Sequence, residues 1–360
     1  MNSNTSKKLV IPYGITTIDE NTVDDRDNLT EFKIPNSVTS IGKGAFHKCC
    51  ALTKVSIPSS VTSIDMLAFN ECSALEVVVI PNSVTSIGYY AFYGCSSITS
   101  ITIPNSVTSL RTGVFEACTS LTEVIIPNSV TGIGQCAFSG CSALTKVVIP
   151  SSVSRLYHDV FTGCTSLTEV VIPDSITCIA LRTFQGCSAL SKVVIPNSVR
   201  EIGDWGFQGC TALEEVVMPN CVTLFNGKEI FAECSSLRVA VLSSVNESSV
   251  DNTVMYNQLM KYLPRLSILI VPVTDLKYIN ISEYSPRCSV LTNSPSARIK
   301  AAQALYWNIH GMQVCNHHEQ RWLLTVLLSL HKWCIREKMS VPIEMIYKIL
   351  EMIRWSSMTA

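Results

Sequence analysis

Hydrophobic and polar positions recur along most of the chain in one fixed phrase. The unit LTEVIIPNSVTGIGQCAFSGCSA (121–143) shows it. Leu121, Val124 and Ile126 are predicted to point inward from an extended segment, with Glu123 and Ile125 pointing outward, because side chains alternate along a strand. Pro127 lacks an amide proton and ends that strand. Asn128 and Ser129 suit the turn that follows. Val130 and Ile133 face inward from a second short extended piece, Gly134 opens a tight bend, and Ala137, Phe138 and Cys141 form a compact turn of β or helical kind. The chain then returns at Leu144, one coil further on.

The phrase repeats with a strict period. Proline stands at 12, 35, 58, 81, 104, 127, 150, 173, 196 and 219, always 23 residues apart. Phenylalanine keeps the interval from 46 to 207 and cysteine from 49 to 210, and both reappear one residue late, at 231 and 234. One open coil cannot offset the ~20 kcal/mol or more of backbone entropy lost in ordering it. Stacked coils shield one another, so stability grows with repeat number. Like residues then form ladders with coils ~4.8 Å apart.

The pattern L-x-x-V-x-I-P-x-x-V-x-x-I-G-x-x-A-F-x-x-C, over roughly residues 9–242, resembles the BspA-type (Treponema-type) leucine-rich repeats. The resemblance implies a leucine-rich-repeat solenoid of 23-residue coils, with a parallel β-sheet on its concave side and short β or helical turns, used mainly to bind other macromolecules.

The expected organisation is about ten coils over 1–242, a degenerate repeat or cap over 243–293, and a small α-helical C-terminal region over 294–360. In the first coil Val23 and Arg26 replace Phe and Cys amid DDRD (24–27), as a polar end-coil would. Near the other end Ser243 replaces proline, a helix is expected up to 263, and LSILIVP (266–272) reads as a last strand. Three helical segments follow, and VPIEMIYKILEMI (341–353) is similar to the first helix of an F-box.

Composition narrows the function classes. Charged residues make up only 15% of the 360 and net charge is −1, so folding rests on apolar burial and no basic field points to nucleic acid. Neither a signal peptide at the N-terminus nor an apolar run long enough for a membrane span is read, so a soluble, cytoplasmic protein is expected. Asn4, Asn28, Asn246 and Asn280 open glycosylation triplets that matter only in a secreted chain.

Several columns are candidate sites. The cysteines read as small hydrophobes filling a column rather than nucleophiles, since no histidine recurs beside them. Glu123, Lys146, Glu169, Lys192 and Glu215 alternate in sign on the strand, as cross-strand stabilisation or as partner selection. The neighbouring outward column is Val79, Thr102, Ile125, Val148, Val171, Val194, Val217 and Val241, aliphatic in six consecutive coils from Ile125 to Val241. This stripe is the strongest binding candidate, set against simple strand propensity. Variable residues cluster at the bends: Tyr89, Tyr90, Arg111, Tyr157, His158, Asp159, Arg182 and Trp205, interface-type residues or ordinary surface variation. In the C-terminal region His310, Cys315, His317, His318, His331 and Cys334 contain a loose zinc-like spacing centred on Cys315, His317, His331 and Cys334, and core packing is the preferred reading there.

The expectation is a non-enzymatic scaffold, with no cofactor, that binds a protein partner through its concave face. The alternatives are a substrate adaptor whose C-terminal helices recruit other machinery, and a surface or adhesion protein.

Overall fold

The computed structural model of the protein describes residues 14–23, 26–219 and 229–243, together with the backbone of two further strands, Ile268–Val271 and Ser289–Thr292. The chain divides into two compact units, Met1–Ser294 and Pro295–Ala360. The described residues all belong to the first.

Each coil has two strand sides and one turn side. Glu123–Ile125 forms a three-residue strand with Val124 buried and its neighbours exposed, and Gly132–Ile133 forms a two-residue strand with Ile133 buried. Equivalent long strands run from Glu31–Lys33 to Lys192–Val194 and lengthen to five residues at Glu215–Pro219 and Val239–Ser243. Long strands pair only with long strands and short with short, always in parallel. The register is one repeat, as in Glu123↔Ser100 and Lys146↔Glu169. The long-strand ladder is interrupted after Val77–Val79 and after Glu169–Val171. Nine coils from 31 to 219 keep the 23-residue register, against about ten expected.

On the third side, where a turn of β or helical kind was expected, the chain takes the non-helical alternative. Among the described residues there is no helix, only successive turns. Two positions four residues apart in each coil have left-handed backbone, as at Cys136 (φ 55°) and Gly140 (φ 72°), and a right-handed helix cannot run through either. Coil-to-coil hydrogen bonds replace helical ones. The Phe138 amide donates to Val160 O at 3.0 Å and the Gly140 amide to Thr162 O at 2.7 Å, both toward the next coil. Other amides donate to the preceding coil, as that of Thr131 does to Thr108 O at 2.9 Å. Every coil is therefore bonded to both neighbours through its backbone.

The core is the set the pattern predicts: Leu121, Val124, Ile126, Val130, Ile133, Ala137, Phe138 and Cys141 are all buried, as are their equivalents. Phenylalanine rings from Phe46 to Phe231 stack with centroids 5.0–5.7 Å apart and planes within 2–19°. Parallel planes at that separation are offset, the arrangement ring quadrupoles favour. The cysteines do more than fill space. From Cys72 to Cys234 each thiol donates to the carbonyl of the preceding coil's phenylalanine at 3.0–3.3 Å. That carbonyl also accepts the amide three residues ahead, as Phe115 O does from Cys118 N. Both lone pairs of a buried acceptor are thus used.

At the N-terminal end Arg26, in the cysteine register, closes the array. Its guanidinium donates to the carbonyls of Val23, Gly44 and His47, the last at 2.7 Å, and to Glu20 O. Toward the other end Val239–Ser243 pairs in parallel with Ile268–Val271, which lies within LSILIVP, and that strand pairs with Ser289–Thr292, which the sequence pattern did not suggest. The helices expected before 263 and over 294–360 lie outside the described residues.

Phe138→Ala should cost ~3–5 kcal/mol by chemical denaturation, since a ring stacked on both faces leaves a cavity that rigid neighbouring coils cannot close.

Candidate functional site

Two surfaces bring candidate side chains together. On the long-strand face Ile125, Val148, Val171 and Val194 are 57%, 52%, 45% and 52% exposed. They stand one coil apart because Val148 and Val171 are direct strand partners and their neighbours keep the same register. Val217 and Val241, expected in the same stripe, are half-buried. Both lie in the lengthened strands, where the chain pairs on into Ile268–Val271. Val79, expected in the same outward column, is 69% exposed and lies beyond the polar Ser100 and Thr102; beside it the pattern missed Val77, 53% exposed. Val77 occupies the register of the charged column, which is why that column alone did not reveal it.

The charged column behaves differently from the alternating ladder expected. Lys146 meets Glu169 at 3.0 Å and Lys192 meets Glu215 at 2.9 Å. Glu123 faces Lys146 in strand register but forms no ion pair among the described residues. Charges pair two by two because each lysine has one compact ammonium that settles on one carboxylate. These exposed pairs are worth about 0–1 kcal/mol each.

The turn edge gathers the bend residues. Tyr89 and Tyr157 are each 46% exposed, and the guanidinium of Arg111 lies 5.7 Å from the Tyr89 ring centroid. Tyr90 packs over Gly113, where a Cβ would run into its ring, and meets Tyr93 edge-on at 6.1 Å. Further along, Arg182 Nε is 2.8 Å from the nearly buried Asp159 carboxylate. Its guanidinium lies 5.8 Å from the Trp205 ring centroid, and Trp205 Nε1 donates to Glu229 at 3.2 Å. His158 stands exposed beside Asp159. Glu116 and Cys136, between the two groups, were missed by sequence reasoning, although Cys136 keeps the register of Tyr90 and Asp159.

Burial and neighbouring charge set the titration of this edge. Partial burial, then the Asp159 charge, raises the Glu116 carboxyl above its ordinary range. Burial, then Glu116, raises the Tyr90 phenol. Cys136 is pushed up to about 11 by burial and then by Glu116 and Asp159, against a smaller opposing effect of Arg182. Cys178, on the short-strand side, is also pushed up to about 11, by burial and by Glu201. The ladder thiols from Cys95 to Cys187 are pushed higher still, mainly by burial, and Cys72 and Cys210 are raised first by hydrogen bonding to a neighbouring thiol and then by burial. Such thiols are poor nucleophiles. Among the described residues no group of histidine, cysteine and carboxylate side chains is arranged to hold a metal ion. Cys315, His317, His331 and Cys334, with His310 and His318, lie outside the described residues.

A family model described as the BspA type leucine-rich repeat region matches in six copies, over residues 1–122, 39–168, 110–238 and 154–263. The chain belongs to the BspA-type leucine-rich repeat family. No curated protein matches it significantly. Solved structures similar to this BspA-type chain include a leucine-rich repeat protein from Bacteroides ovatus, at 23% identity over 74% of this chain and 84% of that one, with a TM-score of 0.49. A T. pallidum leucine-rich repeat protein is 29% identical over 46% of this chain and 83% of its own, with a TM-score of 0.38. The pneumococcal vaccine antigen PcpA is 18% identical over 77% and 71%, with a TM-score of 0.46. Among the described residues of this BspA-type protein no helix is long and apolar enough to cross a membrane.

Two outcomes follow from the titration pattern. The folded state holds the Glu116 proton more tightly than the unfolded state, whose carboxyl keeps the ordinary value of 4.5. Folding stability is therefore lost as pH rises from that value through the raised one. Glu116→Gln should raise the melting temperature at pH 7 and leave it nearly unchanged at pH 4. Iodoacetamide footprinting at pH 8 should modify the exposed Cys50 while the ladder thiols, from Cys72 to Cys210, stay unlabelled until the array unfolds.

Proposed function

We propose that the protein is a non-enzymatic scaffold that binds a protein partner through its long-strand face. The observation that carries this reading is the row of half-exposed aliphatic side chains at Ile125, Val148, Val171 and Val194. Four contiguous β-branched residues on one rigid face supply the apolar contact of an interface, and contiguous exposed apolar patches often mark binding sites. The Lys146–Glu169 and Lys192–Glu215 pairs border the stripe and would fix the register of the partner more than its affinity. A surface preformed by coil stacking loses little conformational entropy on binding. The thiol-to-carbonyl ladder works only with reduced cysteines, which favours a reducing compartment such as the cytoplasm.

The test is quantitative mass spectrometry of proteins retained by the full chain and by a Val148→Lys, Val194→Lys double variant. Partners held by the wild type and lost by the variant, at equal melting temperature, are the expected result. Partners retained in full by a folded variant would place binding elsewhere, and an unfolded variant would show that the stripe supports the fold instead.

A further inference from the structure

The two left-handed positions of each coil are filled in contrasting ways. The second, at the end of the turn, holds glycine in five of nine coils, including four in succession: Gly140, Gly163, Gly186 and Gly209, with φ of 71–72°. Glycine is the residue expected there, because a Cβ is crowded in left-handed backbone. The first position holds Leu67, Tyr90, Cys136, Asp159, Arg182, Trp205 and Glu229, with φ of 53–61°, and glycine only at 44 and 113. Gly44 and Gly113 show that the coil accepts glycine at this site. In the four coils where the second position is always glycine, the first is Cys, Asp, Arg and Trp.

Left-handed backbone at the first position thus carries side chains that differ from coil to coil in an otherwise uniform repeat. The preceding residues vary too: Gly-Tyr-Tyr (88–90), Arg-Thr-Gly (111–113), Tyr-His-Asp (157–159) and Gly-Asp-Trp (203–205) share no side chain pattern. Backbone amides of this edge are used between coils, as those of Phe138, Gly140 and Gly163 are. Adding a strand of another chain here is therefore disfavoured, and recognition falls to side chains. The large ones are already held: Arg111 on Tyr89, Tyr90 on Gly113, Arg182 between Asp159 and Trp205.

We propose that this edge, from Tyr89 to Trp205, is a second recognition surface that reads a protein partner through an acidic contact at Arg111. Tyrosine, tryptophan and arginine are the commonest anchors of protein interfaces, and restrained rings and guanidinium groups lose little entropy when they bind. The stripe runs over six coils, five spacings or ~24 Å at about 4.8 Å each, a length suited to a standard protein interface. Charge selects the partner's contact. Arg182 already faces Asp159, whereas the exposed Arg111 has no carboxylate in salt-bridge reach among the described residues and is stacked on an exposed tyrosine. A partner carboxylate beside an apolar or aromatic side chain would complete that site.

The experiment selects a random 12-residue peptide library displayed on phage against the full chain and measures the affinities of the enriched peptides. Enriched peptides should carry Asp or Glu. They should lose about tenfold or more in affinity on Arg111→Gln and on Tyr90→Gly or Trp205→Gly, and keep it on Val148→Lys with Val194→Lys. The glycine variants should melt at an unchanged temperature or about 2–4 °C higher, because glycine relieves the backbone. Peptides that ignore Arg111→Gln, peptides lost only on the strand-face double variant, or an absence of enrichment would overturn the proposal. So would glycine variants that melt well below the wild type, which would show that these side chains serve the fold. Arg111→Gln touches no buried group, so its result stands whatever the glycine variants do. The strand-face variant separates failure of this surface from failure of the scaffold reading.

Discussion

The structure depends on one constraint: no coil can satisfy its own interior, so each must match its neighbours at every atom that faces them. The phenylalanine column shows the apolar half of this. Rings 5.0–5.7 Å apart with nearly parallel planes have no partner within their own coil. The backbone shows the polar half, since amides such as those of Phe138 and Gly140 donate forward while those of Thr122 and Thr131 donate backward. A residue inserted within a strand or turn would put the facing ladders out of step, whereas the one extra residue between Pro219 and Phe231 leaves the ring and thiol ladders continuous. That explains the unbroken interval of 23 through Pro219, and why the departures cluster at the ends, where Arg26 takes over from a cysteine and later strands close the array.

The thiol ladder ties chemistry to that constraint. A cysteine at this position is small enough for the column and still donates to the carbonyl of the phenylalanine one coil back. Alanine would fill the space and lose the donor; valine would keep the apolar character and crowd the column. Because each bond joins adjacent coils, the ladder reinforces stacking rather than the single coil. Oxidation of adjacent thiols to a disulfide would withdraw two donors from buried carbonyls at once, so the interior that stabilises the array also favours a setting in which the thiols stay reduced.

Much of this was legible in the residues. The inward set from Leu121 to Cys141 follows from alternation and period, and the buried side chains match it position by position. The family follows from Pro, Phe and Cys sharing one register. Other features were hidden for physical reasons. Left-handed backbone at Cys136, Asp159, Arg182 and Trp205 cannot be inferred from residues that usually avoid it, so the pattern alone left open whether this turn is helical. Alternating charges at 123–215 predict a ladder, but which lysine leans on which carboxylate is decided by side-chain reach. Val217 reads like Val194 in sequence, and its lower exposure comes with a longer strand that the local pattern does not encode.

Uniformity and variation therefore occupy different sides of the coil for a reason. A strand side chain stacks on its equivalents above and below, so a change in one coil is felt by two others, and the columns stay nearly constant. At the bend the backbone, already bonded across coils, holds the conformation, and the side chain is released from packing except where it finds a neighbour, as Arg182 finds Asp159 and Trp205. Such a position is free to carry chemistry that differs from coil to coil, within a geometry fixed to the coil spacing. From Ile125 to Val194 the strand face offers one repeated kind of contact, apolar and β-branched. The bend edge offers a sequence of different contacts at regular intervals, and discrimination between partners requires differences of that kind.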